Sequence, residues 1–272
     1  MSILDEIFAH KHTEVAARQR VVPLVEMRRL AEEAAPPQDF IAALHGSLRR
    51  SPSRPALIAE VKKASPSKGL LSPNFDPLAL AQIYRDNGAT AVSVLTDENY
   101  FQGSLAYLRQ IAALFERPLP QRPPLLRKDF LYDPYQVYEA RAAGADAVLL
   151  IVAHLQPTQL RDLQQLAAEL GMAALVEIHT QTELEAALTC DPLLVGINNR
   201  DLHTFTVSLE TTRRLRPSIP PHITTVAESG IHTTADAAAL HGMGVHAMLV
   251  GESLITAADI GAKVRELLKI GD

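Results

Sequence analysis

The chain has 272 residues, 47% of them hydrophobic and 21% charged, with a formal net charge of −5. That composition suits a globular protein with a large core, and the sign of the charge argues against nucleic acid or an anionic membrane as the main partner. The longest apolar run, 147–153, is too short to span a bilayer, and the single cysteine, Cys190, excludes an internal disulfide and a thiolate-rich metal site, which fits a reducing cytoplasm.

Residues 1–50 read as two or three helices broken at Pro36-Pro37, with Asp5, Glu6 and Lys11 where a secretion signal would be apolar. The stretch is too short for a good core of its own. It is therefore expected to pack on the rest, so that 1–272 form one domain. Eight short apolar or β-branched segments follow, near 57–61, 91–95, 125–128, 147–152, 173–177, 194–198, 223–227 and 247–250. Helical signals lie between them. Leu160, Leu163, Leu166, Ala167 and Leu170 form a stripe that Gly171 ends, and Thr180 with Glu183 makes a capping box before Leu184 and Leu188. Ile260, Val264, Leu267 and Leu268 give the last helix its apolar face. Gly88, Gly144, Gly171 and Gly244 each precede a strand, where a helix C-terminus calls for a left-handed residue. Residues 117–124 form a proline-stiffened loop. Strand starts recur every 21 to 34 residues, one βα unit each, and eight units make a closed (β/α)₈ TIM barrel with an N-terminal helical extension. The rival, a doubly wound sheet, lacks its glycine-rich turn after the first strand.

Charged and amide residues recur at the ends of these segments: Glu60, Lys62, Lys128, Glu177, Asn198, Arg200 and Glu228. Glu60 and Lys62 are two apart, so on a strand they point the same way. In a barrel the whole set meets at the C-terminal face, where acids and bases shift one another's pKa. The plainer reading is a network of ion pairs closing the barrel mouth. Ser229-Gly230 and Gly251-Glu252-Ser253 follow the last two strands and pair glycine with a small hydroxyl. Backbone N–H groups there can approach a phosphate, though each pair also serves as a plain turn. Phe101, Phe130, Leu149 and Phe205 line an apolar slot or anchor loops. His154, His179 and His203 follow the middle strands, but surface histidines are common and no metal is expected.

These residues sit in longer motifs. They include Ile58-Ala-Glu-Val-Lys-Lys-Ala-Ser-Pro-Ser-Lys-Gly69, Leu126-Arg-Lys-Asp-Phe130, Leu175-Val-Glu-Ile178, Gly196-Ile-Asn-Asn-Arg-Asp-Leu202, Val226-Ala-Glu-Ser-Gly-Ile231 and Val250-Gly-Glu-Ser-Leu254. Taken in order, the chain resembles the indole-3-glycerol phosphate synthase family from about Ile3 to the last helix. The resemblance implies a carboxy-lyase of tryptophan biosynthesis acting on 1-(2-carboxyphenylamino)-1-deoxyribulose 5-phosphate. It implies Lys128 as general acid and Glu177 as general base, with Lys62 on the substrate carboxylate. Glu60 and Glu228 would position lysines and hydroxyls, and Asn198 and Arg200 would complete the polar wall. Ser65, Ser229, Gly230, Gly251 and Glu252 map to the phosphate site, Glu252 acting through its N–H with the carboxylate turned away. Phe205 stands where the family often has an aliphatic residue. No cofactor or metal is implied, because ring closure supplies the electron-poor intermediate for decarboxylation. The substrate is the expected partner, and other tryptophan-pathway enzymes are candidates.

Two other readings use the same residues. One is a Schiff-base aldolase working through Lys128 or Lys62. The other is a sugar-phosphate binder without turnover, which has no need of opposed acids and bases.

Overall fold

The computed structural model describes residues 3–115, 122–201 and 204–269. Eight parallel strands close into a barrel: β1 (Ala56–Val61), β2 (Ala91–Leu95), β3 (Leu125–Lys128), β4 (Ala147–Ile151), β5 (Ala173–Ile178), β6 (Leu194–Asn198), β7 (Thr224–Glu228) and β8 (Ala247–Val250). Each pairs with its neighbours in sequence, and β8 returns to β1 with Ala56 beside Ala247. Closure leaves no free edge and removes the doubly wound alternative. The expected strands are matched to within a residue or two. The four strand-preceding glycines adopt positive φ, from 73° at Gly171 to 97° at Gly88.

Two apolar layers hold the barrel. Alternate strand residues such as Ile58, Leu126, Leu149, Leu175, Val226 and Leu249 fill its interior. The intervening ones, among them Leu57, Val92, Val148, Val176 and Val195, pack against the helices outside. Both faces of a parallel strand are buried, which is why these segments read as continuous apolar runs.

The N-terminal segment forms three helices, α1 (Ile3–Val21), α2 (Leu24–Glu33) and α3 (Phe40–Arg50). They run down the barrel from one end to the other. α1 reaches the C-terminal strand ends through Lys11, whose Nζ is 2.9 Å from both Asp97 and Asp129. α2 packs on α4 (Pro134–Ala142), with Arg28 over the Tyr138 ring. α3 closes the opposite end. His45 Nε2 meets Thr224 Oγ1 at 2.9 Å, and Phe40 and Leu44 join the interior cluster. Asp146, just before β4, accepts the Gln38 and Leu125 N–H groups and both Arg122 nitrogens, which ties that end together.

One local expectation needs adjusting. Thr180 caps α5 (Gln181–Leu188) by accepting the Glu183 N–H, but the Glu183 carboxylate reaches back one residue further, to the His179 N–H at 2.7 Å. The 117–124 loop lies largely outside the described residues.

Candidate active site

Inward positions alternate along each strand, and the last of them is where the apolar interior gives way to an open mouth. Along β1 the series is Ala56, Ile58, Glu60. Along β5 it is Ala173, Leu175, Glu177, and along β7 Thr224, Val226, Glu228. β3 ends on Lys128 and β6 on Asn198. The barrel register places Asn198 beside Glu228 and Ile151 beside Glu177. Backbone pairing therefore brings together side chains that are far apart in the chain.

A cavity of about 430 Å³ opens there, and every site residue nominated from the sequence lines it, Phe205 included. Lys128 Nζ lies 2.8 Å from Glu177 Oε2 and 3.1 Å from Glu228 Oε2. Asn198 donates through Nδ2 to Glu177 Oε1 at 3.3 Å, and its Oδ1 accepts the Arg200 N–H at 3.0 Å. Lys62 stands across the cavity, 2.7 Å from Glu60 Oε2.

These contacts set the charges. Burial alone would strip Lys128 of its proton, but Glu177, Glu228 and Glu60 overcome that and raise its pKa. Burial also opposes the charge on Glu177, yet Lys128 and His179 outweigh it and hold the carboxyl below the usual carboxylate range. Glu228 is pushed up to about 8, by burial first and by the Glu177 charge, against the pull of Lys128. One ammonium thus serves two carboxyls, and their pKa values are driven apart, Glu177 down and Glu228 up. Paired carboxyls driven apart in this way are a signature of acid–base sites.

The loops after β7 and β8 form one flank of the mouth. Ser229 and Gly230 both have positive φ, 67° and 76°. Ser253 Oγ donates to the Ile231 carbonyl at 2.7 Å, which joins the two loops. The Glu252 carboxylate pairs with Lys68 at 2.5 Å and lies 3.7 Å from Arg200, bridging three loops. On the opposite flank Phe101 and Phe130 pack with ring centroids 5.9 Å apart, and Phe8 of α1 meets Phe130 edge-on at 5.7 Å. Ile3, Leu4 and Ile7 of α1 also line the cavity.

Two glycines make room for the carboxylates. A Cβ at Gly196 would stand 2.2 Å from Glu228 Oε1, and one at Gly251 would stand 2.2 Å from Glu60 Oε2. Gly251 therefore has a second duty beside the one expected at a phosphate loop. The signal for Gly196 was a glycine inside a strand, which often marks close approach of another group.

Sequence reasoning also missed Lys11. It is fully buried, with Asp97, Asp129 and Glu14 around it. Asp97 accepts the N–H groups of Tyr100 and Phe101, and Asp129 accepts that of Phe130. One ammonium thus ties α1 to the loops that carry two cavity-lining rings. Its signal was a lysine on the apolar stripe Leu4, Ile7, Phe8, Val15. The described histidines after the middle strands are engaged with other groups. His154 stacks on Phe8 at 3.8 Å, His179 sits between Glu177 and Glu183, and His203 lies outside the described residues. Among the described residues no cluster of three or more His, Cys, Asp or Glu is arranged to hold a metal ion.

Fold and site together define a (β/α)₈ barrel of the enzyme type, with lysines and carboxyls gathered around one cavity at the C-terminal strand ends. A model of the indole-3-glycerol phosphate synthase family matches residues 4–267. An indole-3-glycerol phosphate synthase from Roseiflexus castenholzii is 54% identical over 268 residues, covering 98% of each chain. One from Dehalococcoides mccartyi is 50% identical over 267 residues, covering 98% of this chain and all of its own. The chain belongs to the indole-3-glycerol phosphate synthase family. Among solved structures, a crystal structure of KGPDC from Streptococcus mutans aligns with TM-score 0.61 at 11% identity, over 79% of this chain and 96% of its own. That likeness concerns the barrel alone.

Proposed function

We propose that the barrel mouth carries out the reaction of this family with a division of labour legible in its charges. The chain is a carboxy-lyase of tryptophan biosynthesis. It converts 1-(2-carboxyphenylamino)-1-deoxyribulose 5-phosphate to indole-3-glycerol phosphate, carbon dioxide and water. The ring carbon bearing the carboxylate attacks the ketone, and Lys128 gives the carbonyl oxygen its proton. The carboxylate then leaves as carbon dioxide, and its electron pair restores the ring. Glu177 takes the proton released as the new double bond forms, and the hydroxyl departs as water with help from an ammonium. Lys62 holds the substrate carboxylate and is the second candidate donor. Glu60 and Glu228 orient the lysines and the sugar hydroxyls. Asn198 holds Glu177, and Arg200 closes the polar wall. Ser65, Ser229, Gly230, Gly251 and the Glu252 N–H receive the phosphate, while Phe101, Phe130 and Leu149 enclose the aromatic ring.

The observation that carries this reading is Lys128 held between Glu177 and Glu228. An imine-forming lysine must be neutral to attack, and here two carboxyls favour the ammonium. That weighs against the aldolase reading. We also take the three N-terminal helices and the barrel as one domain, since α1 lines the cavity and α3 shares the interior cluster. No described helix is long and apolar enough to cross a membrane, and the one cysteine is a free, buried thiol, which supports a cytoplasmic setting.

The test is direct. Purified protein mixed with the carboxyphenylamino sugar phosphate should develop indole fluorescence, with EDTA present. Borohydride added during turnover should trap no covalent adduct. A trapped adduct, or phosphate-dependent binding with no fluorescence, would defeat the reading.

A further inference from the structure

His179 has no part in the division of labour above, yet it touches the proposed base. It directly follows β5 and is buried. Its ring spans two carboxylates, with Nδ1 3.1 Å from Glu183 Oε2 and Nε2 3.4 Å from Glu177 Oε1. The His179 backbone N–H donates to the same Glu183 oxygen at 2.7 Å. Glu183 stands in the first turn of α5. It therefore grips His179 at two points and fixes where Nε2 points. Nε2 is buried and makes no hydrogen bond of normal geometry to another described residue. Glu177 Oε1 is the group it faces, and that oxygen's aligned donor is Asn198 Nδ2 at 3.3 Å.

We propose that His179 is a positioning residue for the reaction: clamped by Glu183, it holds Glu177 Oε1 from behind so that Oε2 faces Lys128 and the substrate. The inference rests on Glu177 being the general base. Charge supports the geometry. Burial works against a charged ring, but the Glu177 and Glu183 carboxylates on either side of it outweigh that and raise its pKa to about 10, so it is an imidazolium at neutral pH. Lys128 also neutralises Glu177, but Lys128 is the group asked to surrender a proton. When it does, its pull on Glu177 is gone. The imidazolium is not discharged in that step. It keeps the carboxylate ionised and aligned until it accepts its own proton.

The groups facing Glu177 are Lys128 from β3, Asn198 from β6, Glu228 from β7 and His179 itself. Those facing the ring are Glu177 and Glu183. The hollow beside it is also lined by Asp5, His154, Arg200, Asp201 and Arg214.

Two substitutions separate charge from alignment. Asn reproduces the donor on the Glu183 side, and Gln reproduces the one on the Glu177 side. His179→Asn should lower kcat about ten- to a hundredfold, as misplacement of a reacting group does, with KM changed less than about threefold. The acid limb of the kcat–pH profile should move up by about one unit, because an opposite charge is lost beside the base. His179→Gln should shift the limb equally but keep more of kcat. Glu183→Gln, which leaves the ring in place, should shift the limb in the same direction by less. In the unaltered enzyme, imidazole nitrogen NMR should show His179 as a cation throughout pH 6 to 8.5. A folded His179→Asn enzyme with wild-type kcat and acid limb overturns the inference, as does a ring that titrates near 6.5. If His179→Asn fails to fold, Glu183→Gln and the ring titration decide on the same terms. Glu177→Gln separates the two levels. Near wild-type turnover removes the base assignment and this inference with it. An inactive Glu177→Gln beside an unaltered His179→Asn removes the inference alone.

Discussion

Lys128 is the residue on which most of the chemistry turns. Its Nζ is within 3.1 Å of two carboxyls, and removing it deletes the proposed proton donor. Lys128→Ala should therefore abolish turnover while substrate affinity, measured by equilibrium binding, stays within about tenfold, since a transition-state contact weighs on rate more than on binding. Gly196 illustrates a different dependence. It touches no substrate in this account, but the methyl of Gly196→Ala would collide with Glu228 Oε1 at 2.2 Å. Glu228 would have to move from Lys128. Steady-state kinetics should show kcat down at least about tenfold, and thermal unfolding a loss of about 1–3 kcal/mol from overpacking. The same reasoning applies to Gly251. A negative side chain there would repel the phosphate and also strike Glu60, so Gly251→Asp should raise KM and lower kcat together in steady-state kinetics.

Among the elements, the N-terminal helix shows how a segment outside the barrel becomes part of its mouth. Its apolar stripe is interrupted by Lys11, which finds three carboxylates in an otherwise apolar seam. Burial pulls the Lys11 pKa down, but Asp129, Asp97 and Glu14 reverse that and raise it. Lys11→Met keeps the length of the side chain, leaves Asp97 buried without its cation and leaves Asp129 with Arg127 alone. Urea unfolding should register a loss of about 3–5 kcal/mol. KM should rise too, because Asp97 and Asp129 hold the backbone of Phe101 and Phe130. The strands were legible because a doubly buried parallel strand is a continuous apolar run bounded by turn residues. The helix ends were legible because left-handed glycine is a local requirement. The Thr180–Glu183 pair was read correctly as a helix start. The second use of Glu183, as the clamp on His179, was not, since it depends on where β5 ends in space.

For the whole molecule, the shifted groups oppose one another across the pH scale. Asp129 and Glu177 are held below their ordinary values of 3.8 and 4.5, mainly by Lys11 and Lys128 working against burial. Their stabilisation is present above those values and is lost as pH falls through the lower folded ones. His179 is raised from 6.5 to about 10. Its contribution is complete below about 6.5 and is lost as pH rises through about 10. Glu228, raised from 4.5 to about 8, favours the folded state most below 4.5, and that advantage is lost between 4.5 and 8. Tm measured from pH 3 to 10.5 should fall steeply on the acid side, decline above about 4.5, most steeply between about 6.5 and 8 where Glu228 and His179 both contribute, and go on declining more gently to about 10. In the His179→Asn protein the alkaline drop should be shallower.

The chain by itself determined the eight βα units, the parity of each strand and which residues stand at strand ends, because these follow from local periodicity and turn chemistry. It also carried the family motifs whole. Only the closed barrel decided that Glu177 and Glu228 share Lys128, that Gly196 and Gly251 yield space to carboxylates, and that Lys11 and His179 belong to the site. Those are pairings between strands and helices distant in sequence. Their energies depend on burial and on distances of 2 to 4 Å that arise only when the sheet closes on itself.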